Sequence, residues 1–160
     1  MNQRILYSKV APGATQPLRE MQTYLNSTDL EKPLLELVKV RASQINGCAY
    51  CIDMHTKDAR ALGETEQRLY TLSVWRETPF FTERERAALA WTECLTLISQ
   101  THDVPDALFD DVRQQFSEKE LVDLTLAVNL INSWNRFAIS FRSVPGSYQP
   151  SPKPHAEQVS

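Results

Sequence analysis

From Pro17 to Phe141 the apolar positions recur every three to four residues, the period of helices rather than the alternation of strands. A first helix is predicted from about Pro17 to Asn26, and Asp29 caps or precedes a second. Pro33 suits the first turn of that second helix, where a missing N–H costs little. Leu34, Leu35, Leu37, Val38, Ala42 and Ile45 give it a broad apolar arc. Asn46-Gly47 ends it, because both residues tolerate the left-handed backbone of helix C-termini. Cys48 to Leu62 predicts a third helix, stopped by Gly63. A fourth spans Glu66 to Arg76, with Leu69, Leu72 and Val74 as core contacts, and Thr78-Pro79 breaks it. Thr82 with Glu85, and Ser117 with Glu120, read as capping boxes. They open a fifth helix reaching about Ser99 and a long final one ending near Phe141, and Pro105 opens a short sixth between them. Along the final helix Leu121, Leu124, Val128 and Ile131 keep helical spacing, and the text to Phe141 is apolar on more than one side. Such breadth predicts burial against several neighbours or at a subunit contact. The fold class is therefore all-α, with a central hairpin formed by the second and third helices.

A length of 160 residues with 42% apolar content supports one hydrophobic core and one domain. Residues 1–16, with Pro12 and Gly13, are predicted to form an irregular arm, 17–144 the helical domain, and 145–160 a flexible tail. Pro145, Pro150, Pro152 and Pro154, with few apolar partners, keep that tail out of the core. His155 belongs to it and carries no site evidence. Seventeen Lys and Arg against twenty Asp and Glu leave a charge of -3, which argues against a nucleic-acid partner. Arg84 and Arg86 alternate with Glu83 and Glu85, the pattern of a solvated helix face. The opening MNQRILYSKV lacks a secretory apolar region, and no run approaches the roughly 20 apolar residues that span a bilayer. The expectation is a cytoplasmic protein with no membrane partner.

Cys48 and Cys51 form a C-x-x-C pair, which in a reducing compartment suggests redox chemistry or metal binding. The third cysteine, Cys94, sits in the apolar text AALAWTECLTLI and is predicted to be buried packing. On a helix, His55 lies about 40° around from Cys51 and about 20° from Cys48, so the three groups can share one pocket. A helix N-terminus favours thiolate over a thiol whose free pKa is about 8.5. An imidazole one turn on can accept the thiol proton or orient a water. Glu36, in an otherwise apolar stretch of the preceding helix, is either a buried partner for His55 across the hairpin or a surface gap in the stripe. A zinc site is the alternative, with His55 as third ligand and His102 or Cys94 as a less obvious fourth.

The segment from Glu36 to Gly63, with its spacing E-x11-C-x2-C-x3-H, resembles the alkylhydroperoxidase D and carboxymuconolactone decarboxylase superfamily on its peroxidase side. The later FTERERAALAWTECLTLI and the long final helix are similar to a peroxidase-related subgroup, extending the likeness to about Phe141. The resemblance implies a thiol-dependent peroxidase acting on small hydroperoxides. Cys51 would attack the peroxide, Cys48 would resolve the sulfenic acid as a disulfide, and Glu36 and His55 would relay protons. It also implies homo-oligomers, trimeric or hexameric, and reduction by an external thiol or a dihydrolipoyl-like protein, with no organic cofactor and no metal. Tyr50 stands where well-characterised alkylhydroperoxidase D sites carry a histidine. With a reference pKa of about 10, tyrosine is a poor base, so Tyr50 is expected to be a pocket wall. General thiol–disulfide exchange and a metal-stabilised scaffold are the competing readings.

Overall fold

Two stretches of the chain are apolar on more than one face, and such helices have to be enclosed by others. The computed structural model describes residues 2–150, and both stretches lie at its centre. Helix α3 (Lys32–Asn46) buries every residue from Leu34 to Val40 and packs against α4 (Ala49–Ala61), α6 (Glu83–Thr96) and α9 (Glu118–Phe141). Around this centre lie α1 (Tyr7–Val10), α2 (Gln16–Asn26), α5 (Glu66–Thr71), α7 (Ile98–Thr101) and α8 (Asp106–Gln115). Single 3-10 turns at Pro12–Thr15 and Leu72–Glu77 complete the order, and among the described residues all regular structure is helical. Among the same residues no helix is long and apolar enough to cross a membrane.

One core cluster joins α2, α3, α6, α8 and α9 through residues such as Leu25, Val38, Trp91, Val112 and Leu124. A second packs Leu37 and Val40 of α3 against Ala59, Leu72, Trp75 and Leu89. The third and smallest gathers Ala42, Cys48, Cys51, Ile131 and Ala138. Both predicted capping boxes form: Thr82 and Ser117 accept from the backbones of Glu85 and Glu120, whose carboxylates reach back to the cap N–H groups. Gly47 terminates α3 at φ +70°, the left-handed conformation that a residue without a Cβ adopts at least cost.

Several local expectations are corrected. Val74 is 53% exposed, because α5 tightens into a 3-10 turn whose Val74 leaves helical angles (φ −122°, ψ 30°), while Leu72 and Trp75 stay buried. The predicted fifth helix stops at Thr96, and α7 follows as a separate turn. Arg84 and Arg86 are not a solvated face. Arg84 binds Glu31, Glu120 and the Gln115 carbonyl and lies 4.0 Å over the Phe116 ring. Arg86 donates to the Trp75 and Thr78 carbonyls, each at 3.2 Å. Cys94 is half-buried rather than packed inside, its thiol 3.6 Å from the Asp103 carbonyl.

The described residues on either side of the helical domain contain more order than composition suggests. Within the arm Tyr7–Val10 and Pro12–Thr15 are helical turns, and the Tyr7 ring lies 5.2 Å from Phe137 and 5.5 Å from Phe141. The Arg4 N–H donates to the Phe141 carbonyl at 3.0 Å, anchoring the arm to the end of α9. Past α9, the Gly146 N–H donates to Asp53 Oδ2 at 2.9 Å, and Lys57 Nζ reaches the Gly146 and Tyr148 carbonyls at 3.3 and 3.1 Å. Residues 146–148 are thereby strapped to α4. Residues 151–160 of the proposed tail, His155 among them, lie outside the described residues.

Candidate active site

The turn between α3 and α4 decides where the cysteines sit. After Gly47 the Cys48 N–H donates back to the Ser43 carbonyl at 2.9 Å, and Cys48 becomes the N-cap of α4, in extended backbone. Its sulfur accepts the Cys51 N–H at 3.4 Å, so one of the unpaired donors of the first turn ends on the Cys48 sulfur. The two Cα atoms are 5.4 Å apart, the sulfurs are joined as a disulfide, and each residue is only 1% exposed. An amide network pins this turn to α9. Asn46 Nδ2 donates to Asn132 Oδ1 at 2.9 Å and to Asn135 Oδ1 at 2.8 Å, and Asn135 Nδ2 donates to Ser43 Oγ at 3.0 Å.

Helix α4 returns alongside α3 and brings His55 to Glu36: Nδ1 lies 2.8 Å from Oε2, and both residues are 7% exposed. The surface alternative for Glu36 is thereby overturned. A carboxylate only accepts, so Nδ1 carries the proton of this bond and Nε2 is the ring nitrogen left outside it. The other carboxylate oxygen, Oε1, takes a hydrogen bond from Lys39 Nζ at 2.7 Å, and Lys39 is itself buried. Burial pushes the Glu36 carboxyl upward, but the His55 hydrogen bond and the Lys39 charge together outweigh it and hold Glu36 below the usual range. Glu36 is thus a buried carboxylate that stays ionised.

A cavity of about 230 Å3 opens against this pair. Cys51, His55 and Lys39 border it, Tyr50 and Tyr7 wall one side, and apolar residues of α9 including Leu130 and Trp134 the other. Cys48 does not border it. Burial, then the neighbouring Tyr7 and Asp53, push the Tyr50 phenol upward, so it faces the cavity as a neutral hydroxyl. One turn beyond His55, Asp58 brings a carboxylate within 4.8 Å of the His55 and Glu36 ligand atoms, and it accepts from the Tyr148 hydroxyl at 2.7 Å.

The sequence-predicted residues form two pairs, His55–Glu36 and Cys48–Cys51, linked where Cys51 and His55 border one cavity, with Tyr50 in its wall. Lys39, Asp58 and the asparagine network escape sequence reasoning. The signal was faint: Lys39 stands between Val38 and Val40, while Asp58, Asn132 and Asn135 each have a polar or charged neighbour and read as ordinary surface positions. His102 and Cys94 do not join the cysteines; His102 is an exposed left-handed residue after α7, and Cys94 is paired with Asp103. Among the described residues the one grouping of three metal-type ligands is Glu36, His55 and Asp58. It fits a cation poorly, because Lys39 already neutralises Glu36, Tyr148 occupies Asp58 and His55 Nδ1 is spent on Glu36.

The model of the carboxymuconolactone decarboxylase family matches residues 12–93, a span that holds Glu36, Cys48, Cys51 and His55. The chain belongs to the carboxymuconolactone decarboxylase family. Its place in the alkylhydroperoxidase D superfamily agrees with the all-α fold and the cysteine pair, and makes the protein an enzyme of that superfamily. The uncharacterized protein YdfG of Bacillus subtilis (strain 168) is 46% identical over 140 residues, 88% of this chain and 95% of that protein. A crystal structure from Agrobacterium tumefaciens, of a protein of unknown function proposed as the antioxidant defence protein AhpD, is 44% identical. It superposes with a TM-score of 0.87, covering 92% of this chain and 100% of that one. The alkylhydroperoxidase AhpD core of an uncharacterized peroxidase-related protein from Ralstonia eutropha JMP134 superposes at 0.77. At 21% identity over 89% of this chain and 75% of that chain, it shares the fold.

Proposed function

We propose that this family member is a thiol peroxidase that reduces small organic hydroperoxides through Cys48 and Cys51. The observation that carries the reading is an asymmetry: Cys51 borders a mainly apolar cavity together with His55, whereas Cys48 does not border it but lies within disulfide reach. In the reduced enzyme His55 Nε2 takes the Cys51 proton while Glu36 balances the imidazolium charge. The thiolate attacks the terminal peroxide oxygen, the O–O bond breaks, and the leaving alkoxide recovers the proton from His55. Cys51 is then a sulfenic acid. Cys48 displaces its hydroxyl as water, closing the disulfide.

A general thiol–disulfide exchange enzyme must present a sulfur to a bulky protein disulfide. With both cysteines 1% exposed, a compact peroxide is the better substrate. The same burial calls for a slender external reductant, such as a dihydrolipoyl-like arm, in an assembly that we expect to be homo-oligomeric. Single-turnover oxidation followed by mass spectrometry tests the reading. Cys51→Ser should abolish oxygen transfer, and Cys48→Ser should accumulate a trappable Cys51 sulfenic acid. Equal first-step rates for Cys51→Ser and wild type would reverse the assignment, and a reduced wild type inert to hydroperoxide would end the peroxidase reading.

A further inference from the structure

Lys39 is a charged group at the site to which the proton relay assigns no task. It is 8% exposed, on a helix whose other residues from Leu34 to Val40, Glu36 excepted, are apolar. Among the described residues its one hydrogen-bond partner is Glu36. An ammonium carries three N–H donors, so two remain for whatever occupies the space beside it. The side chain borders the cavity of about 230 Å3 shared by Cys51 and His55, where an oxygen of a bound molecule could accept from it. A counter-charge for Glu36 would need neither those free donors nor a place in that wall, and a buried charge is costly to keep without a use.

We propose that Lys39 is a catalytic residue that hydrogen-bonds the leaving oxygen of the hydroperoxide and stabilises the alkoxide as it forms. The proposal rests on the peroxidase reading of the same site. When the Cys51 thiolate attacks, an S–O bond forms to the terminal oxygen and the O–O bond breaks. Both electrons of that bond depart with the inner oxygen, so sulfur is oxidised by two electrons and the peroxide reduced by two. The negative charge is born on the inner oxygen before the proton held by His55 arrives. A fixed ammonium beside a mainly apolar cavity wall lowers the energy of that moment and gives up no proton itself. Glu36 serves two purposes in this arrangement: one oxygen orients the imidazole and the other aims the ammonium.

The test uses the reduced full chain and two oxidants that differ in their leaving group, tert-butyl hydroperoxide (a poor alkoxide) and peracetic acid (a good carboxylate). Lys39→Met should slow first-turnover oxidation by the alkyl hydroperoxide by about 100-fold, the scale of losing one oxyanion donor. Oxidation by the peracid should fall by less than about tenfold, since its leaving group needs little help. Alkylation of Cys51 by iodoacetamide, which forms no oxyanion, should stay within about twofold of wild type. Equal losses with both oxidants, or a parallel loss of alkylation, would overturn the proposal and make Lys39 a support for the thiolate or the fold. If Lys39→Met fails to fold by circular dichroism, Lys39→Gln and Lys39→Arg are compared instead. The neutral side chain should reproduce the selective loss and the charged one should escape it; the same behaviour from both overturns the proposal. A wild type that is alkylated normally yet inert to both oxidants refutes the peroxidase reading itself, a result visible before any Lys39 variant is made.

Discussion

Glu36 stands in a run where every residue from Leu34 to Val40 is buried, so its charge must be balanced by its neighbours. The spacing of Glu36, Cys48, Cys51 and His55 was legible because helical geometry and a family resemblance point to the same four residues. Whether Glu36 was buried was not legible, since a lone carboxylate in an apolar stripe reads equally as a gap on the surface. Lys39 was harder still, because a Glu and a Lys three apart look like an ordinary exposed helix pair. Only tertiary packing, which leaves Glu36 and Lys39 7% and 8% exposed, distinguishes the two cases. If Glu36 supports His55, Glu36→Gln should keep the fold, slow Cys51 oxidation by about 100-fold and move its pH profile upward. The amide retains size and hydrogen bonding but cannot balance an imidazolium, so thiolate formation then waits for more alkaline solution. His55→Gln should give a related loss, and the double variant less than the product of the two, since both interrupt one unit. First-turnover rates across pH for the four proteins decide it; multiplicative losses or an unshifted Glu36→Gln profile would exclude the coupling.

At the scale of elements, the helices whose ends carry side-chain signals were legible. Thr82–Glu85 and Ser117–Glu120 form the boxes their spacing predicts, and Asn46-Gly47 ends α3 as expected. What failed were positions where a helix tightens or is tied at a distance. Val74 follows the apolar period of α5 yet leaves it, because the chain turns into a 3-10 segment to bury Trp75. The amides of Asn132 and Asn135 read as interruptions of an apolar helix, but they hold the α3–α4 turn from 86 to 92 residues away. Such pairings have no local period. Gly47 offers a clean measurement of what that turn contributes. An added Cβ there meets nothing within 4 Å, so the cost of Gly47→Ala is the left-handed backbone at φ +70° alone. A loss of about 1 kcal/mol is expected in denaturant unfolding at neutral pH. A neutral or stabilising effect would mean that the turn shifts to a new conformation, and Cys51 oxidation would then slow as well.

Across the whole molecule, both peripheral segments come back to the helix pair that bears the site. The arm brings Tyr7 to the cavity wall, and the segment after α9 brings Tyr148 to Asp58, beside the His55–Glu36 pair. Composition predicted an irregular arm and a flexible tail, and hydrogen bonds spanning some 90 residues leave no mark on local text. The strap can be tested through pH. Burial, followed by the bond to Asp58, pushes the Tyr148 phenol well above its ordinary value of 10.0. A pKa raised in the folded state gives stability that is complete below the unfolded pKa and is lost as pH climbs from there through the folded value. Tyr148→Phe removes the hydroxyl and its bond, and should lower stability by about 1 kcal/mol at neutral pH, a partly exposed hydrogen bond's worth. Above about pH 10 the unfolded wild type ionises its tyrosine, whereas phenylalanine has no proton to lose. The gap between the two proteins should therefore narrow in that range and remain constant below it. Urea unfolding from pH 7 to 11 measures this directly. A gap that stays constant into alkaline solution would show that Tyr148 contributes through ring packing, and that the Asp58 bond does not fasten the strap.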